Sequence, residues 1–148
     1  MYSYEWDAET GGYVLNSTPL TFSKEPRPVY YREMDLLGFD KYWDYEKDDT
    51  YPYMWAEANK YWYRGQLVAQ LKGGTLFEAP ELIPDENARK SIVRFIPVDI
   101  NEMISRNHGI LESLVAETIK NAYNTYIEYK DRVDLFYVAF SGGKDCIR

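Results

Sequence analysis

The chain has 148 residues, 45% apolar and 28% charged, with a formal net charge of -7. That suffices for one ordinary domain or two small pieces with a real core, and an acidic chain without a basic stripe is a poor candidate for a DNA or RNA backbone, so no direct nucleic-acid contact is expected. No window approaches the ~20 apolar residues of a membrane span, the opening MYSYEWDAETGG lacks the basic start and apolar run of an export signal, and the single cysteine, Cys146, allows no internal disulfide; the expectation is a cytoplasmic protein with no membrane partner.

In chain order, residues 1–16 read as a hairpin. Tyr2, Tyr4 and Trp6 alternate with Ser3 and Glu5, the 7–12 stretch supplies a turn, and Tyr13-Val14-Leu15 returns. Pro19, Pro26 and Pro28 make residues 17–28 extended or loop. Val29-Tyr30-Tyr31 suggests a short strand. Glu33 to Trp43 suggests a short helix that Gly38 weakens. Pro52 and the acidic run before it favour a loop over 44–53, then a helical turn near Met54 to Ala58. Glycine turns at Arg64-Gly65 and Lys72-Gly73-Gly74 separate three β-like runs, Tyr61 to Tyr63, Gln66 to Leu71 and Thr75 to Leu82, which read as an antiparallel meander. Residues 84–91 read as polar loop and Ser91 to Val98 as a further strand.

The pattern changes at Asp99. Asp99 and Glu102 have the spacing of a capping box, and apolar residues then recur at helical spacing from Ile100 to Ile127. Asn107-His108-Gly109 is expected to break this stretch into a short helix and a longer one. Lys130-Asp131-Arg132 reads as a turn. Val133 to Phe140, mostly apolar, suits a central strand of a parallel sheet. The expected organisation is therefore α+β. A β-rich aromatic region over 1–98 precedes the first helix and strand of an α/β domain at 99–148.

The constellation that carries chemistry is Ser141-Gly142-Gly143-Lys144-Asp145. Two adjacent glycines permit close backbone approach, successive N–H groups can form an anion nest, and Lys144 adds a cationic point charge for a phosphate. The spacing is not that of the common P-loop, which needs four residues between its first glycine and Gly-Lys. The segment resembles the pyrophosphate-loop family of nucleotide-binding proteins, whose signature is Ser-Gly-Gly-x-Asp-Ser. With the flank VAFSGGKD it is most similar to 3'-phosphoadenosine-5'-phosphosulfate (PAPS) reductases and their relatives. The sixth motif position is Cys146, where the family has Ser or Thr. The aromatic stretches EPRPVYY, YPYMWAE and YWYRGQLVA are also similar to the N-terminal extension on bacterial proteins of that type.

The resemblance implies a doubly wound α/β fold of the adenine nucleotide alpha-hydrolase-like kind. It also implies that Ser141, Gly142, Gly143, Lys144 and Asp145 bind an adenylyl or sulfonucleotide phosphoanhydride. ATP or PAPS is then the nucleotide partner, with Mg2+ and a thiol donor protein expected for the complete enzyme. The implied reactions are sulfonucleotide reduction, an oxidoreductase activity, and ATP pyrophosphatase chemistry with transfer of an adenylyl group. The reductases use a cysteine late in the domain, a role that Cys146 in the loop does not fill. The chain ends at Arg148, inside the motif, so it reads as the front part of such a protein and is expected to be inactive alone, its unfinished sheet disposing it to self-association. The rival reading is a non-enzymatic protein-interaction module in residues 1–98 followed by a truncated remnant.

Other candidates have plainer readings. The aromatic group Tyr42, Trp43, Tyr45, Tyr51, Tyr53, Trp55, Tyr61, Trp62 and Tyr63 could stack bases or sugars, but is expected to be core. His108, the sole histidine, reads as a helix-end or surface residue and no metal site is expected of it. Asp48 and Asp49 read as a solvated turn. Arg27, Arg32 and Arg64 are candidates to reach a phosphosulfate anion, with surface roles expected of each.

Overall fold

A computed structural model of the chain describes residues 2–19, 25–75 and 78–137. The chain divides by contacts into two units, Met1–Ile110 and Leu111–Arg148.

The first unit is mixed α and β, with two antiparallel sheets. Strands β1 (Tyr2–Trp6) and β2 (Tyr13–Pro19) form the N-terminal hairpin. Its turn is closed by Asp7, whose carboxylate accepts from the Glu9 N–H and the Thr10 hydroxyl. Gly11 sits there at φ 78°, where a side chain would be strained. The second sheet runs in the order β3-β4-β5-β6-β7, antiparallel throughout, from β3 (Arg27–Val29), β4 (Met54–Glu57), β5 (Lys60–Tyr63), β6 (Gln66–Lys72) and β7 (Glu81–Pro84). Between β3 and β4 lie helix α1 (Tyr31–Leu37) and a 3-10 turn (Phe39–Lys41). Gly38, at φ 80°, ends α1 and donates its N–H to Asp35 O.

Helix α2 (Glu86–Ser91) follows β7, and helix α3 (Ile100–Tyr129) completes the described elements. The core is aromatic and aliphatic, with Val29, Met34, Phe39, Tyr61 and Val68 fully buried. Phe95 is its hub, its ring meeting those of Phe39, Trp43, Tyr45 and Tyr63. Of the nine aromatic residues grouped above, Trp43, Tyr53, Trp55, Tyr61 and Tyr63 are buried, Tyr45 and Trp62 are half-buried, and Tyr42 and Tyr51 are exposed.

Six local expectations are corrected. Met54–Glu57 is a strand, not a helical turn: pairing with β3 and β5 on both sides fixes it, and Met54, Trp55 and Ala56 are all buried. Residues 86–91 form a helix rather than loop because Asp85 caps it, accepting from the N–H groups of Asn87 and Ala88 at 2.9 Å each. Residues 91–98 are no strand beyond a bridge of Arg94 to Asp44; the segment is pinned by Phe95 N–H to Asp44 O and Val98 N–H to Pro52 O, 2.8 Å each. The α3 helix runs unbroken through Asn107-His108-Gly109. Finally, Val133 to Tyr137 is not a strand, and the rest of the expected strand, 138–140, lies outside the described residues. The third run of the meander forms later than expected, at Glu81–Pro84. No described helix is long and apolar enough to cross a membrane.

Candidate functional site

The expected phosphate loop, Ser141, Gly142, Gly143, Lys144 and Asp145, lies outside the described residues, as does Cys146. What is described is the helix that leads toward it. Asp99 caps α3, its carboxylate accepting from the Glu102 N–H at 3.0 Å. Only half of the capping box forms, since Asp99 N–H donates to Thr10 O instead and the Glu102 carboxylate accepts from Arg106. At the far end, Lys130 to Arg132 turn as expected, with Lys130 N–H donating to Tyr126 O at 2.8 Å. The Arg132 guanidinium lies over the Tyr129 ring and the Phe136 ring meets Tyr126 at 5.4 Å. Val133, Leu135, Phe136 and Tyr137 are exposed.

The three candidate arginines are each engaged within the first unit. Arg27 on β3 is held in a two-pronged pair by Glu33 on α1, and Tyr61 on β5 donates its hydroxyl to the same carboxylate at 2.8 Å. Burial works to raise the pKa of Glu33, but the bonds from Arg27 and Tyr61 outweigh it and hold the carboxyl below its usual range. Burial and the neighbouring Glu33 push the Tyr61 phenol well above its ordinary value, so it stays a neutral donor. Arg32 pairs with Asp49 at 2.6 Å. Arg64 donates to the backbone oxygens of Ala8 and Glu9 at 2.6 and 2.8 Å, tying the β5–β6 turn to the N-terminal hairpin. The structure does not bring these three together around one anion.

An open cleft of about 440 Å³ is lined by Tyr30, Arg32, Glu33 and Asp49. Its one arginine is matched by two carboxylates, so it offers no net positive charge. A second, of about 540 Å³, lies between α1 and β7 and carries Asp35, Asp40 and Glu81 against Lys41, a poor receptor for a phosphate. Asp48 is occupied by Thr50, which donates both N–H and hydroxyl to it. Among the described residues no group of three His, Cys, Asp or Glu is placed to hold a metal. His108 is exposed but lies inside α3, not at its end.

The anchorage of α3 has no signature in the sequence. Arg106 donates to Asp7 at 2.8 Å, to Glu9 at 2.7 Å and to Glu102 at 3.1 Å. Asn107 is buried; its side chain accepts from Leu15 N–H at 2.7 Å and donates to Tyr13 O and Met103 O. Partners more than 90 positions away leave no local signal. These residues hold the hairpin on the first turns of the helix.

Comparison of the chain with protein-family models, with curated proteins and with solved structures finds no match in any of the three.

Proposed function

We propose that the chain is the N-terminal portion of a PAPS reductase-like pyrophosphate-loop protein of adenine nucleotide alpha-hydrolase-like fold. In this reading Ser141–Asp145 binds the phosphoanhydride of ATP or PAPS, and Lys144 supplies the charge. The observation that carries it is the string Ser141-Gly142-Gly143-Lys144-Asp145, which matches five of the six signature positions. The capped 30-residue helix α3 ahead of it supports the reading as the helix expected before such a loop. The first unit is not needed for it, since its three candidate arginines are engaged elsewhere, Arg27 and Arg32 by carboxylates and Arg64 by backbone oxygens.

The test is calorimetric titration of the protein with ATP and with PAPS, beside Lys144→Ala. A charge-assisted hydrogen bond contributes about 1.5–3 kcal/mol, so the variant should bind roughly tenfold to a hundredfold more weakly. Equal affinity of the two for every nucleotide would reduce Ser141–Asp145 to a turn. The 148-residue chain alone should give no product from ATP with Mg2+, or from PAPS with a thiol donor protein. Turnover that survives further purification would contradict that part of the proposal.

A further inference from the structure

We draw no further inference here: the strongest candidate, the acidic cleft between α1 and β7 lined by Asp35, Asp40 and Glu81, rests on a cluster of carboxylates, and nothing in the structure shows what covers it.

Discussion

Asn107 shows at the scale of one residue why the helix continues where its sequence suggests a stop. Asn-His-Gly is a common way to end a helix, because Asn and Gly tolerate the left-handed region. Here the Asn107 amide is spent otherwise: it is 4% exposed and joins Leu15 N–H and Tyr13 O of β2 to the helix backbone at Met103 O. A buried polar group left without a partner costs about 1–3 kcal/mol. Asn107→Ala should therefore lose roughly 2–4 kcal/mol in urea unfolding, the Leu15 N–H and the Tyr13 oxygen of β2 both being stranded. A loss below about 0.5 kcal/mol, as for a surface site, would contradict this role. Arg64 is likewise spent on distant backbone: its bonds to Ala8 and Glu9 oxygens make it a tie between loops, which no local pattern around Arg64 reveals.

Among the elements, the hairpins divide into legible and illegible ones by their turns. The β5–β6 turn is Arg64-Gly65, at φ 49° and 81°, and glycine there announces it. The β4–β5 turn has Ala58 at φ 52°, a conformation alanine disfavours, so the strand before it reads as helix from sequence. Ala58→Gly should then stabilise the protein by up to about 1 kcal/mol, since the left-handed region costs an L-residue about 1–2 kcal/mol. Helix α3 offers the opposite substitution. A Cβ on Gly109 would meet nothing within 4 Å, and glycine inside a helix costs about 0.5–1 kcal/mol relative to alanine. Gly109→Ala should raise stability by that amount, read as a higher urea midpoint at unchanged slope. A drop in either variant would mean that the local backbone is not as described. The helical character of the 100–129 stretch is legible from its apolar spacing and its Asp99 cap, but not its continuity through Asn107-His108-Gly109. Helix α2 was not, because only Ala88 of its six residues is buried and no periodic apolar face marks it.

For the whole molecule, the first unit holds together through carboxylates as well as its aromatic core. Burial raises the pKa of Asp7, yet the bonds from Thr10, Glu9 N–H and Arg106 outweigh it and leave the carboxyl lowered. Glu33 is lowered in the same way by Arg27 and Tyr61, and Asp35 by its bonds from Lys47 and Tyr45. Each of these groups favours the folded state above its unfolded pKa, near 4, and loses that contribution as pH falls through its lowered folded value. Glu57 acts in the other direction, its carboxyl raised by burial despite Lys60 and Trp62. It therefore favours the fold when protonated and loses that contribution as pH rises through its folded value. With three groups against one, the urea midpoint should fall as pH drops below about 4, and Asp7→Asn should flatten that fall. Partial exposure of Asp35 and Lys47 keeps their share small. A midpoint that rises on acidification would contradict the assignment of these pairs.

The mixed α and β character of the chain was readable in its turns, its alternating strands and its long amphipathic stretch. The strand expected at Val133 to Phe140 was read from apolar content alone, and a strand buried on both faces exists only with neighbours to pair with; Val133 to Tyr137 have none among the described residues. The nucleotide reading therefore stands on the loop's own residue types. The most direct measurement is a titration of the isotope-labelled chain with ATP and with PAPS, followed by the backbone amide resonances of Gly142, Gly143 and Lys144. These amides should shift in a saturable way, inorganic phosphate should shift them less, and Lys144→Ala should need higher nucleotide concentrations to reach the same shifts. Amides of Ser141–Asp145 that stay in place at millimolar nucleotide would contradict the nucleotide reading.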